Sequence, residues 1–132
     1  MAHTGRCYCG AIQYELVGAP KDVALCHCID CRLSSGTPMT AWAGFDESQL
    51  TITHGSPKTV NLSGPAIRSF CGDCGTGLFY RNAELLPGVV EVQSATLANP
   101  DLLRPEVQIQ TAERISWMTS IHELPAFERF PE

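Results

Sequence analysis

FCGDCGTGLFY, residues 70–80, sets two cysteines on a glycine-rich turn and runs straight into an apolar, aromatic segment. Cys71 and Cys74, separated by two residues, can grip one metal ion from such a turn, with backbone N–H groups turned toward the sulfurs. Gly72 and Gly75 sit where a turn of this kind often calls for positive φ. CYCG at 7–10 offers a second pair, Cys7 and Cys9. Two plus two makes a closed tetrahedral site for a structural zinc, tying the first strand to a hairpin roughly sixty residues later. Such a staple suits a small β domain, because metal-binding free energy becomes folding free energy.

Outward from this knuckle, nine prolines and eleven glycines punctuate the chain at short intervals. Between them lie alternating or β-rich segments: AIQYELV (11–17), MTAWAGF (39–45), LTIT (50–53), TVNL (59–62), AIRSF (66–70), GLFY (77–80), VVEVQSA (89–95) and EVQIQT (106–111). Short strands spaced by turn signals predict a mainly β fold, sandwich-like or barrel-like. Helical signal is confined to IDCRLS (29–34) and NPDLL (99–103). No repeat, low-complexity tract or linker interrupts the chain. Its 132 residues suit one domain, 1–132, with one sizeable core.

Nine basic against fourteen acidic side chains give a net charge of −5, with no run of Lys or Arg. The electrostatic footprint of a nucleic-acid binder is missing, and the same deficit argues against an anionic membrane surface. The N-terminus carries neither the basic nor the apolar stretch of a signal peptide, and no segment approaches the ~20 apolar residues of a membrane span. The expectation is a soluble, cytoplasmic protein. There, seven clustered cysteines are more often metal ligands or catalytic groups than disulfides.

Three cysteines remain, in CHCIDC at 26–31: Cys26, Cys28 and Cys31. Three protein ligands with a fourth position left for water or substrate is the arrangement of a catalytic zinc, whereas structural sites are closed. Spacing alone leaves other readings open. These are a second structural zinc closed by His3, His54 or His122, a redox trio, an iron–sulfur site, or unmetallated core cysteines. His27, between two of the ligands, is expected to point away from any metal they share.

GRCYCGAIQYEL (5–16), CHCIDCRLSSG (26–36) and FCGDCGTGLFY (70–80), followed by LPAF at 124–127, resemble the glutathione-dependent formaldehyde-activating enzyme family in the order and spacing of all seven cysteines. This is the GFA domain that centromere protein V-like proteins share. The resemblance implies a small zinc-stapled β-tent of short antiparallel sheets. It implies two zinc ions per chain, a structural one on Cys7, Cys9, Cys71 and Cys74 and a catalytic one on Cys26, Cys28 and Cys31. It further implies a carbon–sulfur lyase, S-(hydroxymethyl)glutathione synthase-like, that forms or breaks an adduct between a small thiol such as glutathione and an aldehyde such as formaldehyde. Three thiolates on zinc leave one net negative charge. Such a metal is a soft, weak Lewis acid that accepts a further thiol readily and lowers its pKa, so sulfur chemistry is its natural task. Two rival readings stand beside this one: a non-catalytic zinc-stabilised protein-binding module of the same fold, and scavenging of formaldehyde or metal without turnover.

Around the trio, Arg32 either holds a substrate carboxylate with two prongs or neutralises the thiolate-rich loop. Family members often carry a second basic residue at the next position; Leu33 here removes one candidate grip on an anionic substrate. Ser34, Ser35 and Thr37 read first as turn and cap residues and second as donors to a ligand. Arg68 reads first as part of a solvated strand face and second as a group that reaches a substrate carboxylate, and His54 as a strand-end surface residue. Trp42, Trp117, Phe70 and Phe79 read as core, with a wall of the pocket as the second reading for one of them. An exposed sheet edge would admit a homodimer.

Overall fold

Strict alternation of buried and exposed residues marks β1 (Ala2–Arg6) and β2 (Gln13–Val17) in the computed structural model, which describes residues 1–131. With β5 (Leu50–His54) they form a three-stranded antiparallel sheet, β2 in the middle. The second sheet has seven strands: β3 (Asp22–Cys26), β4 (Thr40–Asp46), β6 (Lys58–Ser63), β7 (Ala66–Phe70), β8 (Gly77–Asn82), β9 (Val89–Gln93) and β10 (Val107–Ile109). Their order across the sheet is β10-β3-β4-β9-β8-β7-β6. The fold is mainly β, as expected, but this sheet is mixed, because β10 runs parallel to β3. One short α-helix, α1 (Ile29–Ser35), follows β3 and ends at Gly36 in the left-handed conformation (φ 69°). NPDLL yields only a 3-10 turn, Pro100–Leu102.

The two sheets bury one core between them. On the inner face of the larger sheet, Val23, Ala43, Val92 and Phe79 are successive cross-strand partners, and Phe45 pairs with Val90 beside them. Tyr14 and Leu16 of β2 pack onto this face, the Tyr14 ring edge-on to Phe79 with centroids 5.1 Å apart. Each such fully buried side chain contributes roughly 1.5–3 kcal/mol. Gly5 lies opposite Tyr14 in the β1–β2 ladder, and a Cβ there would stand 2.2 Å from the ring, so only glycine lets the tyrosine enter the core.

The outer face of the larger sheet mixes charged and aromatic residues. Asp22, Gly44, Glu91, Tyr80 and Arg68 form one continuous cross-strand row over β3, β4, β9, β8 and β7. Two residues further along the strands lie Ala24 and Trp42, and Cys26 stands at the end of β3. This face, with α1 above it, carries the cavity described below.

Three local expectations change. Gly75 has positive φ (84°), whereas Gly72 does not; the methylenes of Lys58 lie 2.8 Å from where a Gly72 Cβ would be, a contact the flexible lysine side chain can relieve. Arg68 is half-buried over the Tyr80 ring and faces the cavity, so β7 is not a plain solvated strand. Trp42 and Phe79 are buried and Phe70 is half-buried, but Trp117 is 52% exposed, because the 3-10 segment Ser116–Glu123 buries none of its residues.

Candidate metal centres

The turn at 71–75 and the loop at 7–12 aim their backbone donors at sulfur. The N–H groups of Asp73 and Cys74 each donate to Cys71 Sγ at 3.4 Å, and that of Ile12 donates to Cys7 Sγ at 3.2 Å. Four thiolates at about 2.3 Å from one zinc would stand about 3.8 Å apart along each edge of the tetrahedron. Here Cys7 and Cys9 sulfurs are 3.7 Å apart, and those of Cys9 and Cys71 are 3.8 Å apart. All four sulfurs, Cys74 included, lie within 4.8 Å of one another. The donor set and its spacing therefore fit a tetrahedral thiolate-bound ion such as zinc. Hydrogen bonding with Thr76 lowers the Cys74 thiol, whereas the neighbouring sulfurs of the same group push Cys9 up to about 12, so the four thiols share their protons unevenly.

The second group forms where β3 gives way to α1. Cys26 is the last residue of β3, Cys28 is the N-cap of α1 and Cys31 lies in its first turn, so one reversal of the chain gathers three sulfurs. The Cys31 N–H donates to Cys28 Sγ at 3.2 Å, and the Cys26 and Cys31 sulfurs are 3.6 Å apart, again a tetrahedral edge. Burial pushes the Cys26 thiol up to about 12 and raises that of Cys28 as well. Ionising all three together calls for a cation's charge among them. Among the described residues no histidine, aspartate or glutamate joins either group. His3 is buried elsewhere, while His54 and His122 are exposed. His27 is fully buried and turned to β10: its Nε2 bonds Gln108 Oε1 at 2.8 Å, and its backbone N–H donates to Ile109 O at 3.1 Å.

The trio opens onto a cavity of about 530 Å³ on the outer face of the larger sheet. Trp42 and Tyr80, with centroids 5.9 Å apart, form its apolar floor. The Arg68 guanidinium lies 4.9 Å from the Tyr80 centroid, and its Nη2 donates to Cys31 Sγ over 3.9 Å. At the other end of the same row, burial pushes the Glu91 carboxyl up to about 7, with the neighbouring Asp22 carboxylate adding to the rise. The segment after β10 closes the remaining side, where Glu113 Oε1 accepts from the N–H of Ile29 at 2.8 Å.

With this geometry in view, comparison with known proteins is decisive. Residues 2–113 match the family described as glutathione-dependent formaldehyde-activating enzyme, GFA. The chain belongs to that family. A curated relative, an uncharacterized lyase of Schizosaccharomyces pombe, is 28% identical over 78 residues. That match takes in 59% of this chain and 56% of the relative, so the chain spans little more than half of the curated protein's length. The crystal structure of a Rhodobacter sphaeroides protein superposes with a TM-score of 0.63 at 25% identity, over 80% of this chain and 98% of that one.

In this GFA chain the structure brings together Cys7, Cys9, Cys71 and Cys74 in one group and Cys26, Cys28 and Cys31 in another. It does not bring Arg32 to the cavity: the residue is absent from the lining, and its Nε is buried without a hydrogen-bond partner. Ser35 Oγ donates to Cys31 O at 2.7 Å, Ser34 Oγ to the same oxygen at 3.2 Å, and Thr37 Oγ1 to Met39 O at 2.7 Å. These hydroxyls secure the α1 turn and the loop after it. Sequence reasoning passed over Asp22, Tyr80 and Glu91. The alternation in VVEVQ puts Glu91 opposite in facing to Val90 and Val92, which was the available signal.

Proposed function

We propose that this GFA-family chain is a zinc-dependent enzyme of the carbon–sulfur lyase type that forms or breaks the adduct between a small thiol and an aldehyde, glutathione and formaldehyde being the first pair to test. The reading rests on one observation: three convergent thiols, with no fourth protein ligand among the described residues, opening onto a cavity of small-molecule size. Cys7, Cys9, Cys71 and Cys74 would hold a structural zinc, and Cys26, Cys28 and Cys31 a catalytic one. Zinc at the trio supplies Lewis acidity there, favouring the ionised form of a thiol and polarising a carbonyl oxygen.

The chain's own residues supply the surroundings. Trp42 and Tyr80 give the cavity an apolar floor. Arg68, beside the Cys31 sulfur, offsets negative charge gathered on the thiolates. In the forming direction a sulfur electron pair makes the S–C bond, the carbonyl π pair moves to oxygen, and the thiol proton ends on that oxygen as a hydroxyl. Breaking the adduct reverses each transfer. The whole of 1–132 acts as one domain in this reading, in the reducing cytoplasm, where its thiols stay available to metal.

Metal analysis during titration with glutathione tests the proposal, together with the rate of S-hydroxymethyl adduct formation over the uncatalysed reaction. Two zincs per chain, one of them responsive to thiol, with accelerated adduct formation, support it. Two zincs indifferent to every thiol, with no acceleration, overturn it in favour of a binding module.

A further inference from the structure

The polypeptide after Glu113 runs on without a core of its own. It lies beyond the family match, which ends at residue 113, and it buries none of its described residues. Yet Trp117, Ile121, Leu124, Phe127 and Phe130 recur in it at every third or fourth position. Trp117, Phe127 and Phe130 are 52, 60 and 92% exposed, so at about 200 Å² per aromatic side chain they alone present roughly 400 Å² to water. One short segment thus exposes as much apolar surface as the largest patch of a typical monomer. Its root is fixed: Gln110 takes the left-handed conformation (φ 57°), and Glu113 Oε1 accepts from the Ile29 N–H at 2.8 Å. Beyond that anchor the apolar side chains stand off the chain's own core, where another molecule can reach them.

A second apolar surface lies between α1 and the β6–β7 hairpin. Leu33, Leu62 and Leu85, 76, 86 and 75% exposed, rim a groove of about 570 Å³ there, with Val60 and Pro65 in its wall. No residue of 114–131 lines it. Asp30, Arg68 and Tyr80 line both this groove and the cavity of the cysteine trio, so an occupant of the groove borders the cavity.

Charge and area together name the occupant. The protein carries a net charge of −5, but residues 114–131 hold two arginines and two glutamates, and the charged residues of the groove are Asp30 and Arg68. Both surfaces are neutral patches on an acidic chain, so a second copy can bring them together without stacking like charges. A segment made for a lipid surface would carry a Lys- and Arg-rich polar face, which this one lacks. Exchange between two copies uses the segment twice and the groove twice. Roughly 400 Å² on each segment, matched by as much on each groove, gives about 1,600 Å² in all, the size of a standard specific interface.

We propose that two copies of this chain associate by exchanging their C-terminal segments, residues 117–130 of each lying in the groove rimmed by Leu33, Leu62 and Leu85 of the other. A reciprocal exchange of this kind closes on a two-fold axis and stops at the dimer. It holds whichever way the cysteine trio is read, and it sets each segment beside the other copy's cavity.

Sedimentation equilibrium of the zinc-loaded full chain tests the exchange. The wild type should dimerise with a dissociation constant in the micromolar range or tighter, as interfaces of this size do. Leu124→Asp or Phe127→Asp on the segment, and Leu62→Asp or Leu85→Asp on the groove, should each raise that constant at least about tenfold. All four positions are exposed, so the variants should melt with the wild type by circular dichroism; if one does not, its alternative on the same surface carries the test. An equimolar mixture of Phe127→Asp and Leu85→Asp should form a tighter dimer than either variant alone, because that pair keeps one intact segment facing one intact groove. A wild type that stays monomeric through the micromolar range overturns the inference. So does a dimer indifferent to both sets of substitutions, or one weakened by the segment variants alone, which would pair segment with segment. Failure of the mixture to recover association overturns it as well.

Discussion

Replacing Cys71 and replacing Cys28 should have different consequences, because the two groups close loops of very different length. Cys9 and Cys71 are 62 residues apart, whereas Cys26 and Cys31 are 5 apart. Treating a bound ion as a cross-link, closure of the longer loop withdraws about 4 kcal/mol of unfolded-chain entropy and closure of the shorter about 2 kcal/mol. Cys71 also accepts two backbone N–H bonds inside the knuckle, and serine would present them with a smaller, differently placed acceptor. Cys71→Ser should therefore cost at least about 2 kcal/mol more than Cys28→Ser, a gap of roughly 6–12 °C in melting temperature for a domain of this size. Against total stabilities of about 5–15 kcal/mol, the first variant should be grossly destabilised. Cys28→Ser should remain folded, lose one zinc and lose thiol–aldehyde activity. Thermal melts by circular dichroism in saturating zinc, with metal analysis of the same preparations, provide the measurement. Equal melting losses would refute the loop-closure reasoning. A Cys28→Ser protein with both zincs and full activity would refute the open site.

Glu91 predicts a pH-dependent contribution to stability. Its carboxyl ionises near 7 in the folded chain against an ordinary 4.5, facing Asp22, Tyr80 and, farther off, Arg68 and Glu113. The folded state keeps the proton longer, so this group's contribution is largest below 4.5 and is lost as pH rises through 7. Glu91→Gln should accordingly stabilise by about 1–2 kcal/mol at pH 8, allowing for partial solvent screening, and by almost nothing at pH 5; equal gains in urea melts would contradict this. Arg68→Lys should weaken glutathione binding about tenfold while Arg32→Lys changes it less than twofold, since only the former guanidinium faces the cavity; calorimetry distinguishes the two. Gly5→Ala should lower stability by about 1–3 kcal/mol through collision with the Tyr14 ring, and melts indistinguishable from wild type would show that the ring has room to move.

The strands that sequence revealed are those whose two faces meet different surroundings. In β9, Val90 and Val92 enter the core while Glu91 faces the cavity, and the alternation survives in the letters. β3 escaped because DVALC buries Val23 in the core and Ala24 and Cys26 in the cavity wall, so no alternation remains. β1 escaped because its inward residues are His3 and Gly5, neither a strand former by composition. Both cysteine groups were legible for a simpler reason: a metal imposes short spacings on its ligands, and spacing is visible in one dimension. The row from Asp22 to Arg68 depends on the register of five strands, which no local pattern specifies. Arg32 therefore looked closer to the chemistry than Arg68. Its backbone N–H is bonded to Cys28 O within the cysteine loop, while its side chain does not line the cavity.

The parallel strand β10 has a consequence for the order in which the molecule is completed. A chain emerging N-terminus first has all seven sulfurs once Cys74 is out, and metal can begin to gather them. The acceptor for the His27 ring, the carbonyl opposite its N–H and the carboxylate on Ile29 N arrive only with Gln108, Ile109 and Glu113. Until then the loop bearing Cys26, Cys28 and Cys31 has no roof on that side, and the sulfurs are open to any thiol or thiophilic ion at hand. β10 thus walls one side of this loop, and a chain cut before Val107 should show faster amide exchange at His27 and Ile29 than the full chain.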